Sequence, residues 1–122
     1  MGIRSGVDIV DKRRIESLID NKRDLFYNRI FTKDEIEYLN EKNHRVPTVA
    51  GLFAAKEAVS KVIGSGIGKL SWKDIEILHE VSGRPYVNIG ENLRSFMEPL
   101  GINNIDISIS NEEEYAMAIA IG

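Results

Sequence analysis

The stretch VAGLFAAKEAVSKVI at residues 49–63 is the clearest element of the chain, and it decides the fold class. Apolar residues recur in it at the spacing of one helix face, and the resulting stripe consists of Leu52, Ala55, Val59 and Val62. Pro47 before the stretch and Gly64 after it are typical of the start and the end of a helix. The pattern therefore predicts one long helix with a buried stripe.

On both sides of this helix the sequence is typical of short strands and shorter helices. Further helices are expected at residues 12–25, 32–43 and 91–97, and strands at residues 3–10, 75–80, 85–89, 105–110 and 115–121. Thr32 and Glu35 have the spacing of a capping box at the start of one helix. The order of elements predicts an α+β fold, a mostly antiparallel sheet packed with one long and several short helices, in a single domain of residues 1–122.

Composition excludes several classes of protein. The 122 residues are 43% hydrophobic and 29% charged, which is typical of a folded domain rather than a disordered chain. Because there is no cysteine, disulfides, thiolate metal sites and a cysteine nucleophile are excluded. A net charge of −3 argues against a nucleic-acid binder. No stretch is apolar enough to span a membrane and residues 1–10 do not resemble a secretory signal, so we expect a cytoplasmic protein.

Two carboxylates and a lysine could carry chemistry. Asp8 lies in an apolar run, where its charge is costly to bury without a partner. It is either a metal ligand or an aspartate at a strand end, held by the backbone or an arginine. Glu57 and Lys61 have the spacing of an ordinary surface pair on a helix. If Asp8 and Glu57 meet in space, they could instead hold Mg²⁺, and Lys61 could stabilise charge on a phosphoryl group.

The glycine segment and the basic run each allow two interpretations, and the two histidines indicate no chemical role. The glycines of segment 64–68 end the helix, and they could also let a ligand approach the backbone closely. The basic run Lys12-Arg13-Arg14 is either a solvated helix face or a docking face for an acidic partner. His44 and His79 have no partner at metal-ligand spacing, so we expect both to be structural or at the surface.

These pieces occur along the chain in one order. The order consists of Gly6-Val7-Asp8-Ile9, Arg14-Ile15, Phe31-Thr32, Phe53-Ala54-Ala55-Lys56-Glu57-Ala58 with Lys61, Gly64-x-Gly66-x-Gly68, Gly83-Arg84-Pro85, and Ser108-Ile109-Ser110 followed by Tyr115-Ala116. In this respect the sequence resembles the holo-[acyl-carrier-protein] synthase family, the short bacterial type of 4′-phosphopantetheinyl transferase. The resemblance covers nearly the whole chain, and the Phe-Ala-Ala-Lys-Glu-Ala stretch is its most specific element.

The resemblance implies the 4′-phosphopantetheinyl transferase fold and a magnesium-dependent enzyme of fatty acid and lipid biosynthesis. Such an enzyme moves the 4′-phosphopantetheine arm of coenzyme A (CoA) to a serine of an acyl carrier protein and releases 3′,5′-ADP. The resemblance also implies a homotrimer with an active site at each subunit interface. The alternatives are a non-catalytic relative that binds CoA or a carrier protein, and a phosphohydrolase that uses the same two carboxylates.

The resemblance also implies roles for individual residues. Asp8 and Glu57 match the magnesium ligands, and Lys61 matches a lysine near the pyrophosphate. Lys61 and Glu57 are expected to be catalytic, with either Glu57 or a metal-bound water taking the serine proton. CoA contacts are expected from Lys61, Gly64, Gly66, Gly68, Arg45, Arg84, Pro85 and Asn111. Arg14, with Arg13 beside it, matches a basic position on the helix that receives the carrier protein.

Three departures from the family pattern remove groups suited to binding anions. Asn111 stands where the family has His, Glu112–Glu114 follow where it has Thr and often Lys, and Leu52 replaces a basic or aromatic residue. The residues that could compensate at the adenosine end of CoA are Arg45, Lys56 and Arg84. We therefore expect weaker discrimination between CoA and dephospho-CoA than in other family members.

Overall fold

The computed structural model describes residues 2–64 and 67–122, so Met1, Ser65 and Gly66 lie outside the description. The strands are β1 (Ser5–Asp11), β2 (Glu76–His79), β3 (Pro85–Asn88), β4 (Asp106–Asn111) and β5 (Tyr115–Ile121). The helices are α1 (Lys12–Ile30), α2 (Lys33–Glu41), α3 (Val46–Ile63) and α4 (Glu91–Met97), with 3₁₀ turns at Trp72–Asp74 and Glu98–Leu100. One antiparallel sheet has the order β1-β5-β4, and β2 and β3 form a separate antiparallel hairpin.

α3 is the central helix and packs across the inner face of the three-stranded sheet. All side chains from Val49 to Ile63 are buried except those of Glu57, which is partly exposed, and Lys61, which is exposed. The prediction of a single buried stripe was therefore too narrow, because α1, β1, β2, β4 and β5 all contact this helix. A helix that is buried almost all round belongs to a core, and Glu57 and Lys61 mark the place where it reaches the surface.

The two faces of the sheet differ in size and exposure of their side chains. Small residues face α3, and those of β5 are Ala116, Ala118 and Ala120. Because side chains alternate along a strand, larger apolar residues lie on the opposite side. These residues, called the outer sheet face below, are between 42% and 58% exposed and consist of Val7, Ile9, Met117, Ile119 and Ile121. Val7 pairs with Ile119 and Ile9 with Met117, so the exposed apolar side chains adjoin one another across the strands.

α1 is longer than the helix expected at residues 12–25. It continues to Ile30 across a kink at Lys22, where φ is −145° and ψ is 38°. Phe26 and Tyr27 are buried and extend the core face of the helix beyond the kink. α1 spans 19 residues and is divided by the non-helical backbone of Lys22, and α3 spans 18 residues. In the part of the chain that the structure describes, no helix is long and apolar enough to cross a bilayer.

Glu35 and Lys56 form a fully buried ion pair between α2 and α3. Lys56 Nζ lies 2.6 Å from Glu35 Oε1, and both side chains are 0% exposed. Glu35 also accepts a backbone hydrogen bond from Thr32, which completes the predicted capping box, and another from Ile77 of β2. Lys56 donates a further bond to the carbonyl of Ile75. Burial raises the pKa of Glu35 and lowers the pKa of Lys56, so the ion pair and its hydrogen bonds only partly offset the loss of water.

Candidate active site

The candidate site forms where β1 lies directly on α3. Gly6 permits this close approach, since a Cβ atom there would lie 2.2 Å from the carbonyl oxygen of Ala58 and 2.8 Å from Cβ of Lys61. Asp8 follows two residues later and therefore lies on the same face of the strand. Lys61 Nζ lies 3.3 Å from Asp8 Oδ1 and donates a 2.8 Å hydrogen bond to the carbonyl of Val7. The fold thus brings together a carboxylate of β1 and a lysine of α3.

Glu57 lies one helical turn before Lys61 and belongs to the same group of charges. Burial raises the pKa of Glu57, and the charge of Asp8 raises it further, while Lys61 and Arg14 oppose the rise. Burial also raises the pKa of Asp8, again against the effect of Lys61 and Arg14. The two carboxylates thus interact with the same two cations. Asp8, Glu57, Lys61 and Arg14 are called the carboxylate cluster below.

The donor atoms of this cluster fit a magnesium ion that a substrate helps to hold. Mg²⁺ uses one or two protein carboxylates and takes its remaining ligands from water and phosphate oxygens, and Asp8 and Glu57 can supply that number. Within residues 2–64 and 67–122, no group of three or more His, Asp or Glu side chains forms a complete metal site. The arrangement therefore suits a metal shared with a phosphate ligand better than a closed structural metal site.

A cavity of about 330 Å³ opens beside Glu57. Its basic rim consists of Arg14, Lys22 and Arg29, and its apolar lining consists of Leu18, Leu25, Phe26, Ile30, Phe53 and Trp72. The rings of Phe53 and Trp72 stack with their centroids 5.3 Å apart. No role was expected for Trp72, which lies 19 positions beyond Phe53 along the chain. The only signal in the sequence was the apolar character of the helix face around Glu57.

A second cavity, of about 430 Å³, lies beside the first turn of α3 and is called the Arg45 cavity below. Four of the residues expected to contact CoA line it: Arg45, Arg84, Pro85 and Asn111. Tyr38 and His79, for which no such role was expected, also line it and stack with their ring centroids 3.8 Å apart. This cavity shares no lining residue with the cavity beside Glu57. Within one chain, these four expected CoA contacts therefore lie apart from the carboxylate cluster.

The glycines expected to line a CoA site lie at the end of α3. Gly64 caps the helix with φ of 86°, and Gly68 has φ of 153°, so both backbones favour glycine. Both residues are exposed, and Gly64 lies about one helical turn beyond Lys61. Gly66 lies outside the described residues.

Lys56 was a candidate to bind the adenosine end of CoA, and this expectation was wrong. Its ammonium group is buried and bound to Glu35, so it is not available to a ligand. Of the two histidines, His44 has its Nδ1 3.0 Å from the hydroxyl of Tyr27, and His79 stacks on Tyr38 in the lining of the Arg45 cavity. The weaker discrimination against dephospho-CoA stays a prediction.

Arg13 and Arg14, the expected docking residues, have different surroundings. Arg14 lines the cavity beside Glu57 and acts on both carboxylates of the cluster. Arg13 is turned to Asp11, the N-cap of α1, and its Nη2 lies 2.9 Å from Asp11 Oδ2. Arg14 therefore faces the candidate site, whereas Arg13 is paired with an aspartate of its own helix start.

Comparison with known proteins agrees with this fold. The sequence profile described as the 4′-phosphopantetheinyl transferase superfamily matches residues 4–120, and the chain belongs to this superfamily. Among its relatives is a curated protein of Thermoanaerobacter sp. (strain X514) named holo-[acyl-carrier-protein] synthase. The two sequences are 45% identical over 96% of this chain and 86% of the relative.

Solved structures with this fold carry the same family name. The crystal structure of holo-[acyl-carrier-protein] synthase from Neisseria meningitidis has a TM-score of 0.87 and 34% identity, over 97% of this chain and 95% of that chain. The Helicobacter pylori protein of that name, in complex with coenzyme A, has a TM-score of 0.82 and 31% identity, over 95% and 96% of the two chains. The family resemblance and the expected fold are therefore confirmed.

Proposed function

We propose that this chain is an enzyme that transfers the 4′-phosphopantetheine arm of CoA to a serine of an apo acyl carrier protein, with Mg²⁺ as its metal. The observation that carries the proposal is the carboxylate cluster, in which Lys61 Nζ lies 3.3 Å from Asp8 Oδ1 and Glu57 lies one turn away. The family of the chain and the CoA complex of its H. pylori relative support the proposal.

In the proposed reaction, the serine Oγ forms a bond to the phosphorus that carries pantetheine, and the bond from that phosphorus to 3′,5′-ADP breaks. Bound Mg²⁺ would stabilise negative charge on the pyrophosphate oxygens. Lys61 stabilises the charge that develops on the transferred group, because its side chain is 51% exposed and its ammonium group lies 3.3 Å from the carboxylate of Asp8. Glu57 takes the serine proton, since its carboxylate reaches the surface of α3 beside Lys61.

We also propose a homotrimer with an active site at each subunit interface. The outer sheet face supports this proposal, since five adjoining apolar side chains there are between 42% and 58% exposed. The separation of the carboxylate cluster from the Arg45 cavity supports it as well. A neighbouring copy would bring its own Arg45 cavity to the carboxylate cluster and so complete a site for a molecule as long as CoA.

The remaining binding roles are divided between the Arg45 cavity, the glycine segment after α3 and the basic residues of α1. Arg45, Arg84, Pro85 and Asn111 would hold the adenosine end of CoA, and Gly64, Gly66 and Gly68 would pass close to the molecule. Arg14 would receive the acidic carrier protein, with Arg13 as its neighbour, because opposite charges steer the encounter of two proteins. We further propose that residues 1–122 act as a single domain in cytoplasmic fatty acid biosynthesis.

The direct test is to incubate the protein with CoA and an apo acyl carrier protein, with Mg²⁺ or with EDTA, and to measure the intact mass of the carrier protein. We expect the carrier protein to gain one phosphopantetheine group with Mg²⁺ and none with EDTA. A carrier protein whose acceptor serine is replaced by alanine should stay unmodified. Binding without a gain in mass would indicate a non-catalytic relative, and cleavage of CoA without a gain would indicate a phosphohydrolase. Either result would contradict the proposal.

A further inference from the structure

The side chain of Arg4 binds the carboxyl end of α3. Its Nε donates a 2.8 Å hydrogen bond to the carbonyl of Val62, and its Nη2 donates a 3.4 Å bond to the carbonyl of Ile63. The last four carbonyls of a helix have no partner within the helix, and a positive charge beside them is favourable because the helix dipole is negative at that end. Arg4 therefore completes the end of α3 from another part of the chain.

The backbone of Arg4 is itself part of the sheet. Its N–H donates a 2.8 Å hydrogen bond to the carbonyl of Gly122, and its carbonyl accepts a 2.9 Å bond from the N–H of Gly122. These two bonds extend the ladder between β1 and β5 by one residue pair beyond Ser5 and Ile121. The guanidinium group therefore connects the end of α3 to the three-stranded sheet.

Lys61 makes the reverse connection, from α3 to the same strand. Its Nζ donates a 2.8 Å hydrogen bond to the carbonyl of Val7 and lies 3.3 Å from Asp8 Oδ1. Strand and helix are therefore connected by two cations within the last turn of α3, one from each element. Lys61 directly precedes Val62, whose carbonyl Arg4 binds, so a shift of this turn would move Lys61 relative to Asp8.

Gly64 shows how closely the guanidinium group approaches the end of the helix. Its φ is 86°, and a Cβ atom at this position would lie 3.0 Å from Nη2 of Arg4. The N–H of Gly64 donates a 3.0 Å hydrogen bond to the carbonyl of Ser60, which caps the helix. Arg4 thus lies beside the residue at which the chain leaves α3.

We propose that Arg4 is a positioning residue, which fixes the last turn of α3 and thereby holds Lys61 in place for phosphoryl transfer. This inference rests on the proposed function. Arg4 acts through the end of the helix and does not need to touch CoA. Displacing a charge that stabilises a transition state lowers the rate, while substrate binding changes little. Loss of Arg4 should therefore lower kcat more than it raises the KM for CoA.

Amide hydrogen exchange tests the structural half of the proposal without CoA or a carrier protein. In Arg4→Met the end of α3 loses both side-chain bonds, so we expect the amides of Val62, Ile63 and Gly64 to exchange at least about 5-fold faster than in the wild type. The amides of α4 should exchange at the wild-type rate. Unchanged exchange at the end of α3, or an equal increase in α4, would overturn the inference.

Steady-state kinetics then separate positioning from binding. For the wild type, Arg4→Met and Arg4→Lys, kcat and the KM values for CoA and for apo carrier protein are measured. Arg4→Met should lose about 5–10-fold in kcat, with both KM values within about 2-fold of wild type. Arg4→Lys should fall between the two, because lysine keeps the charge but offers a single ammonium group to two carbonyls. A raised KM for CoA at unchanged kcat would make Arg4 a binding residue and overturn the inference.

A double-mutant cycle tests whether Arg4 acts through Lys61. In a Lys61→Met background, Arg4→Met should change transfer by less than about 1.5-fold, because the group that Arg4 positions is already absent. The same factor in both backgrounds would overturn the inference, since it would show that Arg4 only supports the fold.

Asn92→Ala is the matched control for the loss of an exposed side-chain bond. Asn92 Nδ2 donates a 3.1 Å hydrogen bond to Asp74 Oδ1, and its removal should leave kcat unchanged. A loss of kcat equal to that of Arg4→Met would overturn the inference. Transfer by the wild type upholds the proposed function in each of these cases, and a wild type without transfer overturns both.

Discussion

Lys56 and Glu57 are consecutive residues of α3 whose side chains have opposite environments. Lys56 is 0% exposed and bound to Glu35, whereas Glu57 reaches the surface beside the candidate site. The family motif predicted the position of Glu57. It could not predict the partner of Lys56, because Glu35 is 21 residues away and was expected only as a capping residue at a helix start. The role of Lys56 depends on its contact with Glu35 in the core, and the local spacing of residues in α3 carries no information on that contact.

The buried pair predicts a large loss of stability in Lys56→Met. The change would leave the carboxylate of Glu35 buried without its cation, which typically costs about 3–5 kcal/mol. Lys61→Met, on the same helix but at an ion pair whose lysine is 51% exposed, should cost less than the loss of the fully buried pair. Urea denaturation of both variants measures the difference. Equal, small losses would show that the buried pair does not stabilise the helix packing.

The raised pKa values of Asp8 and Glu57 predict that the site opposes stability without its metal. A raised pKa means that the folded state binds protons more tightly, so stability falls as pH rises from the ordinary value through the raised one. At pH 7, Asp8→Asn and Glu57→Gln should therefore keep or raise the melting temperature in EDTA. The same variants should lose transfer activity at least about 100-fold. A clear fall in melting temperature would indicate that the carboxylates are structural, and near-normal transfer would exclude them as metal ligands.

At the scale of elements, periodicity predicted most helices and strands, but it failed where tertiary contacts decide how far a helix extends. The order and type of the elements followed the expected pattern, and the capping box at Thr32 is present. The end of α1, residues 26–30, was missed because the predicted helix stopped at residue 25. Its buried residues, Phe26 and Tyr27, become a helix face only through packing in the core.

The contact between β1 and α3 predicts that Gly6→Ala damages both stability and activity. The new Cβ would lie 2.2 Å from the carbonyl of Ala58, so the strand would have to move off the helix. Overpacking of this kind costs about 1–3 kcal/mol, and the shift would move Asp8 away from Lys61. Gly2→Ala is the control, since nothing lies within 4 Å of its Cβ. If Gly6→Ala kept wild-type stability and transfer, this would show that the close contact between β1 and α3 does not position the carboxylate cluster.

At the scale of the whole molecule, the outer sheet face predicts self-association. Ile119→Lys would place a charge in the middle of this face and should convert the proposed trimer to monomers, with loss of transfer. Val81→Lys, in the exposed turn between β2 and β3, should leave the assembly intact. Sedimentation velocity distinguishes the species. A wild type that sediments as a monomer, or an Ile119→Lys protein that still assembles, would contradict the proposed trimer.

The candidate site was predictable from sequence only as a set of residues. The family resemblance assigned Asp8, Glu57 and Lys61 to one site, and the fold brings the three together. It could not indicate that Arg45 and Asn111 line a different cavity of the same chain, because motif order carries no information on distance in space. Apolar wall residues such as Trp72 were missed for the same reason.

The central claim is that one active site is shared between two copies of the chain, and subunit mixing tests it most directly. Asp8→Asn would disable the carboxylate cluster, and R45E/R84E would disable the Arg45 cavity. Each variant alone should be inactive in transfer to an apo carrier protein. After the two are unfolded and refolded together, about one quarter of the interfaces in a ring would pair two intact halves, and transfer should return to roughly that fraction of wild type. A mixture as inactive as its components, although assembled, would contradict the shared site.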